Sequence, residues 1–162
     1  MQRYIYSQID LHWIIIDLMS NIHLVKLNFK DKDFIKIRNI RKDVFTDELG
    51  IAESELYDKY DEFCDHFIIF NGKNIVGSVR FVSSGKSIKL ERMGILKEYR
   101  TKNYGRYCIV QLKEFYNELG YTRIFLDSIY SVRNFYKKCG FIEEGKIFQR
   151  VGIDHIRMSL TM

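Results

Sequence analysis

The chain has 162 residues, 46% hydrophobic and 29% charged, with a net charge of +5 and no proline. That is enough for one domain with a sizeable core, and too mixed a composition for a disordered or fibrous protein. Three widely spaced cysteines (Cys64, Cys108, Cys139) and four scattered histidines make neither a disulfide framework nor a metal-ligand pattern, which points to a reduced, cytoplasmic protein without a metal. The mild positive charge suits a polyanionic ligand such as a nucleotide cofactor, yet no basic run reaches the length of a nucleic-acid tail, so no nucleic-acid partner is expected.

Residues 1–21 read as an accessory segment. Within it, 9–19 (IDLHWIIIDLM) is apolar but interrupted by Asp10, His12 and Asp17. It is too short and too charged to span a membrane, and it lacks the basic start and cleavage site of a signal peptide. The expectation is an amphipathic helix that docks on the body or on a second copy, which makes the segment compatible with a homodimer. Residues 22–29 alternate like a half-buried strand. Asp31 has the character of an N-cap, and Phe34, Ile37, Ile40, Val44 and Phe45 recur at helical spacing through 32–46. Residues 53–62 form a short acidic segment, in which Asp58, Asp61 and Glu62 read either as the solvated face of a helix or as a hold for a cationic amine.

Phe67–Phe70 is a strand, Asn71-Gly72-Lys73-Asn74 a hairpin turn and Ile75–Val82 its partner. Ser83-Ser84-Gly85 turns the chain into a strand-like run, Ser87–Leu96. From there the order becomes strand, helix, strand, helix: a helix over Tyr104–Leu119 stopped by Gly120, a strand over Tyr121–Leu126, and a short helix over Ser131–Lys138 ended by Cys139-Gly140. Phe141-Ile142 and Ile153–Leu160 close the pattern. The whole predicts a mixed α/β fold, antiparallel strands first and βα units afterwards, with 22–162 as a single domain.

The most informative stretch is Tyr99-Arg100-Thr101-Lys102-Asn103-Tyr104-Gly105-Arg106, a basic turn between a strand and a helix start. A helix's first turn leaves backbone N–H groups unpaired, its dipole places partial positive charge there, and Gly105 lets a ligand approach the backbone. An ordinary solvated loop would carry the same residues.

The order of this turn, the helix, the strand and then Asn134-Phe135-Tyr136-Lys137-Lys138-Cys139-Gly140-Phe141 resembles the GNAT superfamily of acyl-CoA-dependent N-acyltransferases, over roughly residues 22–162. Gly152-Ile153-Asp154-His155-Ile156-Arg157-Met158 is similar to a C-terminal GIxHxxM segment of one bacterial subgroup, and Arg41-Lys42-Asp43-Val44-Phe45 with Asp58 and Asp61 to that subgroup's N-terminal half. The resemblance implies a GNAT-type sheet with a splayed parallel strand pair, formed here by Ser87–Leu96 and Tyr121–Leu126. It implies acetyl-CoA as co-substrate, its pantetheine along Met93, Gly94 and Ile95 and its pyrophosphate on Arg100, Thr101, Lys102, Asn103, Tyr104, Gly105 and Arg106. Asn103 stands where the family usually has its first glycine, and Asn is the non-Gly residue that best tolerates positive φ.

Tyr136 matches the family's general acid, since a phenol can protonate a departing thiolate; otherwise it is a core aromatic. Glu91, on the cofactor strand, is the candidate base, the alternatives being a salt-bridged carboxylate and a water chain. His155 lines the acceptor pocket or is a satisfied strand histidine, and Cys139 abuts the thioester site. The function implied is direct transfer of acetyl from acetyl-CoA to a primary amine, on a small molecule or a protein. The alternatives are a non-catalytic acyl-CoA-binding module and an acyl-homoserine-lactone synthase-like enzyme, the latter disfavoured because the chain reads Arg80-Phe81-Val82-Ser83 where that family has Arg-Leu-Leu-Pro.

Overall fold

A computed structural model describes the backbone of residues 4–9 and 12–17 and all atoms of residues 21–162. The chain divides into two compact units. One runs to Phe81 and includes Arg92–Cys108; the other comprises Val82–Glu91 and Ile109–Met162.

The first unit is an antiparallel meander of β1 (Tyr4–Ile9), β2 (His12–Asp17), β3 (Ile22–Leu27), β4 (Asp65–Asn71) and the start of β5 (Asn74–Ser84), each pairing with the next. The helix expected within 9–19 is therefore absent where the backbone is described: Trp13, three consecutive isoleucines and the hairpin pairing from Ile9↔His12 to Tyr4↔Asp17 make it a strand. β-branched and aromatic side chains favour the pleated backbone, and here the extended pairing overrides the helical reading of the apolar spacing.

Helix α1 (Phe34–Arg41) buries Phe34 and Ile37 with Leu27 and Ile68, as the spacing predicts. The residue at its N-cap is Asp33 rather than Asp31, whose carboxylate accepts from the Asn28 N–H at 2.6 Å. Instead of continuing as an α-helix to 46, the chain widens into a π-turn over Lys42–Asp47. The acidic segment forms only a short 3₁₀ turn, Glu53–Leu56. The β4–β5 hairpin sits where expected: Asn71 pairs with Asn74, so Gly72, at φ 58°, takes the first of two loop positions, where glycine is wanted.

Strand β6 (Ser87–Ile95) begins in the second unit and ends in the first. Its end lies hard against β5: a side chain at Gly77 would run into the Gly94 carbonyl oxygen, and a Cβ on Gly94 would meet Val44 Cγ1 at 3.1 Å.

In the second unit β6 runs parallel to β7 (Arg123–Ile129) from Ser87↔Arg123 to Lys89↔Phe125, and the ladder stops there. β7 pairs antiparallel with β9 (Ile153–Thr161), and β9 with β8 (Ile142–Arg150). β7 alternates cleanly: Ile124, Leu126 and Ser128 are buried, while Arg123, Phe125 and Asp127 occupy the other face. Helix α2 (Tyr104–Glu118) buries Ile109, Leu112, Phe115 and Tyr116, and α3 (Arg133–Lys138) buries Tyr136. Antiparallel ladders plus one parallel pair, with helices between strands, give the mixed α/β fold predicted. No helix among the described residues is long and apolar enough to cross a membrane.

Candidate active site

The basic turn has the conformation that its sequence suggests. After a 3₁₀ turn at Lys97–Tyr99, Thr101 and Asn103 both adopt positive φ, 65° and 63°, and α2 starts at once, its Tyr107 N–H donating to the Asn103 carbonyl at 2.9 Å. Asn103 supplies the left-handed residue that the family takes from glycine. Thr101 does so at a cost, because a β-branched residue resists this region. The N–H groups of Tyr104, Gly105 and Arg106 form the first helical turn, where no upstream carbonyl of the helix can receive them. Gly105 is buried, whereas Lys102 and Arg106 are exposed. Lys102 Nζ lies 5.6 Å over the Tyr99 ring, and the Tyr104 hydroxyl accepts from Asn71 Nδ2 at 2.8 Å.

Arg100 is used differently from the other two cations. Both terminal nitrogens bond the Glu48 carboxylate at 2.8 Å, and Nε donates to the Ile95 carbonyl at 2.9 Å. The hydrogen bond from Arg100 holds the Glu48 carboxyl below the ordinary carboxylate range, burial opposing it. Arg100 thus fastens the end of β6, where Gly94 and Ile95 lie, to the segment after the π-turn.

Just before Met93, Arg92 sits at φ 50°, a left-handed residue inside a strand. Its side chain is held from two sides, Nε donating to the Leu56 carbonyl at 3.2 Å and one terminal nitrogen to the Glu55 carbonyl at 2.9 Å. Strain of this kind persists only where surroundings enforce it. It falls beyond the last β6–β7 pair, so the strand leaves its regular course right before the three residues expected to carry pantetheine.

In the second unit, Glu91 is a partly buried carboxylate 2.7 Å from Lys89 Nζ, and Lys89 also reaches Asp127 at 3.1 Å. Glu91 thus carries an ion pair with Lys89, a cation two residues earlier on the same strand. Tyr136 is 9% exposed, its ring edge-on to Phe135 and Phe141 at 5.0 and 5.7 Å, while its carbonyl accepts from Cys139 and Phe141. His155 is buried, its Nδ1–H donating to the Ile153 carbonyl at 2.8 Å and its ring stacked on Phe148. These contacts are those of a packed strand histidine.

The largest surprise lies in the acidic segment. Asp61 is not on a solvated face: its side chain is 1% exposed and bonds Arg41 at 2.9 Å and Arg80 at 3.0 Å, both equally buried. Arg80 also grips Asp58 through two bonds of 2.8–2.9 Å. His66 completes the hub. Arg41 can only donate, so its 3.1 Å bond to Nδ1 makes that nitrogen the acceptor, and Nε2–H donates to the Asp61 carbonyl at 2.8 Å. Asp61, Cys64 and His66 have ligand atoms within 4.8 Å of one another, but two guanidinium groups on the carboxylate and both ring nitrogens in hydrogen bonds leave a hydrogen-bonded charge hub, not an open donor set. Burial pushes the Cys64 thiol up to about 12 and pulls the His66 imidazole down to about 4, so the pair is neutral. Asp61 is held below the ordinary carboxylate range; burial opposes this, and Arg41 and Arg80 outweigh it.

A pH dependence follows. His66 folds neutral at about 4 but unfolds near 6.5, so the unfolded chain binds more protons between those values. Stability should be fully present above pH 6.5 and fall as pH drops toward 4, by roughly 3 kcal/mol over the window. Urea unfolding at pH 7, 5.5 and 4 measures it, and His66→Asn, which keeps an acceptor for Arg41, should flatten the curve. An unchanged curve in that variant would rule the imidazole out as the source.

The sequence matches the family model for the acetyltransferase (GNAT) domain over residues 45–162. It is 31% identical to the protein YyaT of Bacillus subtilis strain 168, over 80% of this chain and 89% of that protein. Among solved structures, an acyl-CoA N-acyltransferase from Pseudomonas aeruginosa superposes with a TM-score of 0.71 at 16% identity, covering 85% of this chain and 98% of that one. A Bacillus subtilis acetyltransferase in complex with CoA superposes at 0.65 and 14% identity, covering 87% and 97%. At these identities the structures speak for the fold; the family model and the sequence relative speak for descent. With the phosphate-type turn, the strained strand and the ordered motifs in place, this chain belongs to the GNAT acetyltransferase family.

Proposed function

We propose that the protein moves an acetyl group from acetyl-CoA to a primary amine by direct transfer. The observation that carries the reading is the turn from Arg100 to Arg106: Asn103 at φ 63° opens directly into α2, so first-turn N–H groups, the glycine and two exposed cations together suit a pyrophosphate. A CoA complex of a fold relative supports the same ligand class. Residues 22–162 would form the catalytic domain, with 1–21 as an accessory to it.

The chemistry assigns one task to each residue. The amine nitrogen attacks the thioester carbon, a C–N bond forms, the C–S bond breaks, and CoA leaves as thiolate. Tyr136 gives that sulfur its proton, a sensible transfer because the thiol's pKa of about 8.5 lies not far below a phenol's. The proton lost by the amine passes to Glu91, directly or through water. Backbone N–H groups at Met93–Ile95 would steady the developing oxyanion.

Calorimetry with acetyl-CoA and then dephospho-acetyl-CoA tests the cofactor. One-to-one binding, weaker for the dephospho form, is expected; no binding at high micromolar ligand would reject the assignment. Tyr136→Phe should lower turnover at least about tenfold with acetyl-CoA affinity nearly unchanged. Equal turnover would remove Tyr136 from the mechanism, and tight binding with no thiol release on any amine would leave a binding module.

A further inference from the structure

Asp127 lies at the centre of the half-exposed face of the second unit's sheet. Its side chain is 1% exposed, yet it faces three cations: Lys89 at 3.1 Å, Arg157 at 2.9 Å through Nε, and Arg150 at 3.3 Å. Register explains the convergence. Asp127 is paired with Arg157 across β7–β9, and Lys89 stands on the neighbouring parallel strand. Burial works against the charge of Asp127, and its bonds to Arg157 and Lys89 outweigh that effect.

One carboxylate cannot neutralise three cations. Lys89 shares its charge with Glu91, and Arg123 is matched by Glu144, whose other oxygen takes the Ser159 hydroxyl. Counting this face, four cations (Lys89, Arg123, Arg150, Arg157) meet three carboxylates (Glu91, Asp127, Glu144), which leaves one positive charge in excess. The excess sits on Arg150 and Arg157. Both are 46% exposed, and each has most of its five N–H donors outside the contacts to Asp127. Arg157 is further fixed over the Phe125 ring at 5.3 Å, so its planar fork is already oriented.

From this placement we infer that the acceptor is an amine carrying its own anionic group, a carboxylate or a phosphate, held by Arg157 and Arg150, and not a polyamine. The inference rests on the proposed acetyl transfer and on Glu91 as base. Lys89 joins the two ends: one contact leads to Glu91, where the amine would give up its proton, and the next to Asp127, which holds the arginines. A free polycation would meet the excess positive charge, whereas an anion next to the amine would find preoriented donors.

The test compares three acceptors that share an aminoethyl group with one polyamine. Rates of thiol release are measured with ethanolamine, phosphoethanolamine, β-alanine and spermidine, at low and high salt, after acetyl-CoA binding has been established by calorimetry. The inference expects kcat/KM for phosphoethanolamine or β-alanine to exceed that for ethanolamine by about tenfold or more at low salt, chiefly through KM, with the gap narrowing at high salt. The better of the two anionic acceptors identifies phosphate or carboxylate as the group read. Arg157→Gln should bring the ratio to about two or less. Equal rates for charged and neutral acceptors, or spermidine as the best of the four, would overturn the inference and leave acetyl transfer standing. Absence of acetyl-CoA binding would bring down the underlying reading along with it, whereas binding without turnover on any of the four would overturn the inference alone.

Discussion

Asp61→Asn is expected to cost about 3–5 kcal/mol of stability, enough to unfold a marginal domain at physiological temperature. The reason is asymmetry. The asparagine keeps the shape and one acceptor oxygen, but Arg41 and Arg80, both 1% exposed, lose the charge between them. An uncompensated buried guanidinium is far more costly than the absent pair would be: Arg41 is left without its carboxylate and faces Arg80, which keeps Asp58. Urea unfolding of the variant measures the loss. Double replacement of Arg41 and Asp61 by apolar residues of similar volume should recover part of it. A single variant within about 1 kcal/mol of wild type would mean that water reaches the hub and that its burial is only apparent.

Gly105→Glu should lower acetyl-CoA affinity at least about a hundredfold, below detection in a standard titration. Gly105 is buried in the first turn of α2, where the proposed pyrophosphate contact requires the backbone to come close to the ligand. The glutamate adds bulk and a like charge to the pyrophosphate. Helix propensity itself favours the substitution by up to about 1 kcal/mol, so thermal unfolding of the variant separates lost binding from lost folding. A folded variant with native affinity would move the phosphate site elsewhere.

How much of this was legible beforehand follows from the range of the signals involved. Local ones read true. Asn-Gly marked the β4–β5 hairpin, Gly120 at φ 85° ends α2, and the glycine-like role of Asn103 was foreseeable from its chemistry. The charge hub was not, because the partners of Asp61 and Asp58 are remote in sequence and nothing nearby distinguishes these two from the exposed Glu62. The resemblance pairing Arg41 with Asp58 and Asp61 held the only clue. β8 was seen only at its first residue. Most of its residues from Ile142 to Arg150 are exposed, so no clean alternation betrays it, as befits a charged strand that pairs, among the described residues, with β9 alone. Arg100 was expected to lend charge to a phosphate; its bidentate bond to Glu48, 52 positions away, is another long-range pairing that spacing does not reveal.

Arg92 and Arg100 leave the chain eight residues apart, and both take hold of the stretch between Glu48 and Leu56. That stretch has little regular structure of its own, only one 3₁₀ turn. Its order is therefore borrowed from the strand end and the turn it touches, and theirs from it. The two regions form one cooperative unit of local opening: amides from 48–56 and from 92–100 should exchange with solvent at matched free energies, well below that of global unfolding. A bound phosphate that quiets the turn would then protect the distant segment by the same amount, although it never touches it.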